Sequence, residues 1–303
     1  MSNALFQAYA SNDSTNAGLR VSTDVRKIRK DSLWLTLHTD VDRGLHNFSP
    51  TLLAELRNII DALESAEGEW HHGGHASQIG YLVVKSSDPD YFSVGGDLRH
   101  FRTCIAEKAE SALRDYSMQS LDLLFDWSNL LKDRMTSISL VQGRALGGGF
   151  EMALSADYIV AEEQSTFGFP EIMFGLFPCT GAMGLLTRRI GAMKAERMMT
   201  NNRIYTAREL FEMGLVDEIC PQGAGERAVE DYISRHAARQ KSYLKVQQCR
   251  MRAAPLDYVE GMRIVEDWVE LAMNLSGEEA RALDMLIMMQ EGGRQPEPKL
   301  RAA

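Results

Sequence analysis

The stretch Leu140-Val-Gln-Gly-Arg-Ala-Leu-Gly-Gly-Gly-Phe-Glu151 decides how the rest of this 303-residue chain is read. Ser137-Ile-Ser-Leu-Val141 predicts a strand, three glycines follow, and a helix from about Phe150 carries a carboxylate at Glu151. Such a turn brings backbone N–H groups at a helix N-terminus close to a ligand, an approach only glycine allows. A phosphate cradle would need Gly-x-Gly-x-x-Gly or a following Gly-Lys-Ser/Thr, and neither is present. An oxyanion hole needs only one or two aligned N–H donors beside an acid/base group, which fits. The plain structural alternative is a tight strand-to-helix crossing.

Upstream, Gly95-Gly96 also follows a strand and precedes a helix, so it is a candidate for the second N–H donor. Downstream, Phe167-Gly-Phe-Pro-Glu-Ile-Met-Phe-Gly-Leu-Phe-Pro178 sets Glu171 among apolar neighbours. Burial raises a carboxyl pKa and makes it a useful acid or base near neutrality. Glu171 lies twenty residues after Glu151. Two carboxyl groups across one pocket, beside N–H donors, can add or remove water next to a carbonyl. The bland alternative for Glu171 is a helix cap.

Strands alternate with helices through the first two thirds, which predicts an α/β fold. Ser32–His38 reads as a half-buried strand and Ile79–Lys85 as a buried one. Ser49-Pro50 opens a helix with its apolar face at Leu52, Leu53, Leu56, Ile59, Ile60 and Leu63. Residues 65–77 are polar and Gly/His-rich and read as a surface loop. One long helix is expected over about 105–132. Tyr158–Ala161 and Leu215–Ile219 read as strands, and Thr206–Glu209 and Ser276–Glu279 match capping boxes. Helices are expected over 224–252 and 255–275. The predicted organisation is a flexible arm over 1–25, a core over 26–222, a helical region over 223–291 and a disordered tail over 292–303.

Composition narrows the partners. Against 33 Lys and Arg stand 42 Asp and Glu, and a net charge of −9 argues against a nucleic-acid binder. Cys104, Cys179, Cys220 and Cys249 have no paired spacing, which argues against a zinc site or a disulfide framework and for a reducing, cytoplasmic setting. No window approaches the run of about 20 apolar residues that spans a bilayer. His71, His72 and His75 read as a solvated loop rather than a metal site.

In this order and spacing, Tyr91–Leu98, Ala145–Glu151 and Phe167–Glu171 resemble the crotonase (enoyl-CoA hydratase/isomerase) superfamily over about residues 30–290. The resemblance implies a spiral of ββα units with a C-terminal helical region. It implies Gly96 and Gly148 as thioester-oxygen donors and Glu151 and Glu171 as the two acid/base groups. It implies a homotrimer or homohexamer and no cofactor beyond the acyl thioester of acyl carrier protein or CoA. Ser139–Glu151, Phe174–Pro178, Met213–Asp217 and Arg263–Met273 resemble a narrower branch, the bacterial diffusible signal factor synthases. That branch implies dehydration of a 3-hydroxyacyl thioester followed by hydrolysis, releasing an unsaturated fatty-acid signal for quorum sensing. Glu171 would take the α-proton and Glu151, protonated, would give its proton to the leaving hydroxide. Gly95, Leu146, Gly147, Met173, Phe174, Leu176 and Trp268 are expected to contact substrate, although core packing is equally natural for Trp268. A metabolic hydratase or isomerase of fatty-acid degradation and an inactive scaffold are the alternatives. Gly44–Pro50 and Phe177-Pro-Cys-Thr-Gly181 depart from the usual hydratase pattern.

Overall fold

The computed structural model describes residues 19–40 and 44–292. β1 (Val21–Lys27) pairs antiparallel with β2 (Asp31–Leu37), and β3 (Asn47–Phe48) leads into α1 (Pro50–Ser65). β4 (Glu69–His72) and β5 (His75–Ser86) form a hairpin, followed by β6 (Tyr91–Ser93), β7 (Gly95–Gly96), α2 (Leu98–Ala106) and α3 (Glu110–Asn129). β8 (Thr136–Val141), β9 (Arg144–Leu146) and α4 (Gly148–Ser155) come next. β10 (Tyr158–Glu162), β11 (Thr166–Gly168), a 3-10 turn over Glu171–Phe174, α5 (Ala182–Ile190) and α6 (Ala192–Thr200) follow. β12 (Tyr205–Thr206), α7 (Ala207–Glu212) and β13 (Glu218–Cys220) close the core. α8 (Gly225–His236), α9 (Gln240–Ala253), α10 (Tyr258–Met273) and α11 (Gly277–Gly292) make the helical region.

The strands sort into two main sheets. The larger runs β1-β2-β5-β8-β10-β13, with β4 added on β5, and the smaller runs β12-β11-β9-β6. Each unit places one strand in the larger sheet, then a short strand, then a helix. The units β5/β6/α2, β8/β9/α4 and β10/β11/α5 repeat this, so the α/β spiral of ββα units expected from the sequence is the observed architecture. Period-two patterning explains why the larger sheet is covered on both faces. Leu33, Leu35, Leu37, Leu82 and Val84 face the main core with α1, while Trp34, Tyr81, Val83, Ile138 and Leu140 face Val229, Tyr232 and Ile233 of α8. The third cluster joins α2 and α3 to α10 and α11 through Leu98, Leu113, Leu121, Val265, Trp268 and Leu283. Ser49 caps α1 by accepting from Leu52 N at 3.3 Å, and both capping boxes form as expected.

Four expectations need correction. The flexible arm expected over 1–25 overlaps β1, whose Val21 is fully buried; residues 1–18 lie outside the described residues, as do 293–303 of the expected tail. The polar loop over 65–77 is largely the β4–β5 hairpin. Gly73 and Gly74 both have positive φ (56° and 77°), the backbone that a two-residue hairpin turn requires, and Trp70 anchors the hairpin in the core. The single helix over 105–132 is broken between α2 and α3, where Lys108 adopts φ 54°. The helix over 224–252 is interrupted by a 3-10 turn at Ala237–Arg239.

Candidate active site

Two glycine turns meet at one point. Gly95, with φ 98°, reverses the chain after β6, and Gly147, with φ 52°, does the same after β9. A Cβ on Gly95 would stand 2.8 Å from the Leu146 carbonyl oxygen and 3.2 Å from Gly148 N, so only glycine lets the turns touch. Each positive-φ glycine precedes the residue whose N–H matters, Gly96 and Gly148. Gly148 is the first residue of α4, where helix geometry leaves N–H groups without an intrahelical acceptor. Tyr116 of α3 braces the first turn: its hydroxyl donates to the Phe48 carbonyl and accepts from Asp97 N at 3.1 Å. Burial pushes the Tyr116 phenol well above its ordinary range, so it stays a donor.

Glu151 sits one turn into α4 and is 2% exposed. Its Oε1 accepts from Thr180 N and Ala182 N, both at 2.9 Å, and its Oε2 accepts from the Thr180 hydroxyl at 2.6 Å. The carboxylate therefore rests against the N-terminus of α5. Burial raises its pKa, and these three donors oppose the rise by favouring the ionised form.

Glu171 is built differently. Pro170 and the 3-10 turn hold it so that Oε1 would lie 2.3 Å from a Cβ on Gly147. Its Oε2 is sealed from solvent with no hydrogen-bond partner. Burial, then the nearby Glu151 charge, push its pKa up to about 8. Of the two carboxyls, Glu171 is the one whose surroundings favour the protonated form, and Glu151 the one whose donors favour the ionised form. Cys179 stands in the same wall; burial, then the charges of Glu151 and Glu171, push its thiol up and keep it protonated.

One cavity of about 560 Å³, its open mouth included, is lined by Gly96, Gly148, Glu151, Glu171 and Trp268. The other expected substrate contacts are not in its wall. Gly95 and Gly147 set the turns behind it. Leu146 borders a separate cavity beside Tyr91 and Pro170. Met173 is 55% exposed, while Phe174 and Leu176 are buried in the C-terminal cluster because the left-handed Gly175 ends the 3-10 turn and carries the chain inward. Trp268 belongs to both settings: it lines the cavity, packs edge-on to Phe101 with ring centroids 5.1 Å apart, and is 2% exposed. Truncating it to Ala would cost about 3–5 kcal/mol, so it cannot be altered without touching the fold.

The sequence reading missed Tyr116, Thr180 and Cys179. Thr180 was within reach: Pro178-Cys-Thr-Gly181 precedes an apolar helix, and a helix N-terminus is a natural seat for a carboxylate. Among the described residues no group of three or more His, Cys, Asp or Glu could hold a metal, and no helix is long and apolar enough to cross a membrane.

Comparison with known proteins agrees with this geometry. The enoyl-CoA hydratase/isomerase family matches residues 44–255, and the chain belongs to that family. It is 29% identical over 223 residues to the fatty acid oxidation complex subunit alpha of Pseudomonas savastanoi pv. phaseolicola, covering 74% of this chain and 29% of that protein. The chain thus spans under a third of that larger relative. Enoyl-CoA hydratase from Bacillus halodurans superposes with a TM-score of 0.70 at 20% identity, covering 88% of this chain and 99% of the other. Pseudomonas aeruginosa DspI superposes with a TM-score of 0.61 at 23% identity, covering 91% and 99%. Likenesses at these identities establish the fold.

Gly147→Ala tests the seat of Glu171. The added methyl meets both a positive φ and the carboxyl oxygen, so the carboxyl must move. A displacement on the order of 1 Å at a reacting group costs roughly a hundredfold, and kcat for enoyl-thioester hydration should fall by about that factor while circular dichroism keeps the native helical signal.

Proposed function

We propose that this protein dehydrates a 3-hydroxyacyl thioester to a 2-enoyl thioester and then hydrolyses the thioester, releasing an unsaturated fatty acid of the diffusible-signal type. The observation that carries the reading is that two differently built carboxyls, Glu151 held by three donors and Glu171 with Oε2 unpartnered, line one cavity with the Gly96 and Gly148 turns. Dehydration starts from the less favoured form with the proton on Glu151: ionised Glu171 removes the α-proton and Glu151 gives its proton to the departing hydroxide, forming water. Negative charge that develops on the thioester oxygen meets the two backbone N–H groups. The pair is left with Glu171 protonated and Glu151 ionised, the distribution its surroundings favour.

That distribution suits hydrolysis. Glu151 takes a proton from water as the oxygen attacks the thioester carbon. The tetrahedral oxyanion uses the same two N–H donors, and Glu171 protonates the departing thiolate. Glu151 is then protonated and Glu171 ionised, ready for another dehydration. The two half-reactions close one proton cycle without an external acid or base.

A second reading, a metabolic hydratase acting on CoA thioesters, uses the same pair in the opposite protonation form. Protonated Glu171 and ionised Glu151 are what addition of water to a 2-enoyl thioester needs. Product analysis separates the two readings. Purified protein given a 3-hydroxyacyl thioester, on carrier protein or on CoA, should yield free 2-enoic acid by mass spectrometry. If product stops at the enoyl thioester, hydrolysis is excluded and the hydratase reading stands.

The raised Glu171 pKa also has a stability consequence. The ordinary carboxyl pKa is 4.5, so between there and about 8 the unfolded chain releases a proton that the folded protein keeps. Stability from this group is full below about pH 4.5, falls as pH rises and levels off above about 8, a loss of roughly 5 kcal/mol at most. Urea midpoints at pH 5 and pH 9 should therefore diverge less in Glu171→Gln than in the unaltered protein.

A further inference from the structure

Thr180 meets both oxygens of Glu151: its backbone N–H donates to Oε1 at 2.9 Å and its hydroxyl donates to Oε2 at 2.6 Å. Ala182 N completes the set on Oε1, also at 2.9 Å. These partners differ in kind. A backbone N–H can only donate, whereas a threonine hydroxyl donates or accepts as its hydrogen turns. The two fixed donors occupy both lone pairs of Oε1, so a proton placed there would displace one of them. A proton on Oε2 meets a hydroxyl that can reverse and accept it. Thr180 lies in Phe177-Pro-Cys-Thr-Gly181, the stretch that departs from the usual hydratase pattern, and it is buried in the wall of the catalytic cavity. Its branched Cβ leaves the side chain few rotamers, and its own N–H bond fixes the backbone behind it.

We infer that Thr180 is a positioning residue whose hydroxyl reverses direction as Glu151 changes between acid and base, which makes Oε2 the oxygen that carries the proton in both half-reactions. The inference rests on the proposed two-carboxylate reaction. Before dehydration the Oε2–H group of Glu151 donates to Thr180 Oγ1. As the proton passes to the departing hydroxide, the O–H bond at Oε2 breaks and one forms in the released water. The hydroxyl then swings to donate to the charge left on Oε2. Hydrolysis runs the exchange backward: Oε2 takes a proton from water, and the hydroxyl turns to accept. The contact with the ionised carboxylate is the stronger of the two, so Thr180 favours Glu151 as the base. Glu171 of the 3-10 turn, Cys179 ahead of α5 and Tyr116 of α3 are the other titratable groups lining the cavity. Burial keeps Cys179 and Tyr116 protonated, which leaves the two glutamates, among these groups, to change form near neutrality.

The test follows hydration of a butenoyl thioester by the full chain from about pH 5 to about pH 9, since adding water requires ionised Glu151. Thr180→Val keeps the shape of the side chain and the backbone N–H but has no hydroxyl. Its acidic limb should move to higher pH, and kcat at neutrality should fall about tenfold or more, the weight of a hydrogen bond to a charged group. KM should change little, because the hydroxyl is engaged by Glu151 and not by substrate. Thr180→Ser should return the limb and most of the rate. An unmoved limb in folded Thr180→Val, or a limb moved equally in Thr180→Ser, overturns the inference and leaves Thr180 a packing role. Neutron diffraction from the unaltered protein gives an independent reading that needs neither folding of a variant nor turnover. With Glu151 ionised, the Thr180 hydroxyl deuteron should point at Oε2; with Glu151 protonated, the carboxyl deuteron should sit on Oε2. A carboxyl deuteron on Oε1 overturns the inference. Absence of all hydration in the unaltered protein would strike at the proposed reaction instead, and the deuteron positions would still decide the role of Thr180.

Discussion

Glu171→Gln is expected to lose at least about a hundredfold in dehydration, since a positioned acid/base group contributes about 10²–10⁴. Gln keeps the size of the side chain but can neither take the α-proton nor return one. The fold should survive, because Oε2 of Glu171 has no partner to lose and the amide, like the protonated carboxyl that burial favours, carries no charge. Glu151→Gln should match it in dehydration and also stop acid release, with a different structural cost. Gln brings an NH₂ group to a site where Thr180 N, Ala182 N and the Thr180 hydroxyl all donate, so one contact becomes donor against donor. A loss of about 1–3 kcal/mol in stability should accompany the loss of turnover in Glu151→Gln only. Enoyl thioester and free acid, followed separately with urea melts of both variants, check this; full dehydration by either variant contradicts the two-carboxylate mechanism.

Gly148→Pro should remove one oxyanion donor while leaving α4 in place. Proline is tolerated at the first position of a helix, and the residue before it, Gly147, has no Cβ to clash. A Cβ at Gly148 would have Gly96 N as its nearest neighbour at 3.6 Å, an ordinary contact. What is lost is the N–H. Removing one such donor commonly costs 10²–10³ in kcat, about 3–4 kcal/mol of barrier. Both half-reactions should fall, because the enolate-like and tetrahedral oxyanions share the donors. Near-normal kcat in a folded Gly148→Pro protein would sink the assignment of Gly148.

Much of this was legible in residue order because the chemistry is carried by backbone turns. A positive-φ position that a neighbouring turn must approach can be filled only by glycine, so Gly95 and Gly147 announce themselves. So does Glu151, fixed one helical turn beyond. The partners of these groups were less visible. Thr180 reaches Glu151 from 29 residues away, and Tyr116 reaches Phe48 across 68. No local pattern records such a meeting. The β4–β5 hairpin was hidden by its own exposure: its outward residues are polar, Trp70 is the buried anchor, and the Gly73-Gly74 signal reads equally as a loop. The placement of Met173, Phe174 and Leu176 outside the cavity wall was hidden for a related reason. Apolar character marks a residue for burial, but the turn at Gly175 decides whether it meets substrate or core.

Proton traffic at the α-carbon tests the division of labour most directly. In D₂O, a saturated acyl thioester bound in the site can exchange its α-proton but cannot lose water. Nuclear magnetic resonance should show a deuteron entering the α-carbon in the unaltered protein and in Glu151→Gln, and none in Glu171→Gln. Exchange at the unaltered rate in Glu171→Gln would contradict the assignment of Glu171 as the group that faces the α-carbon.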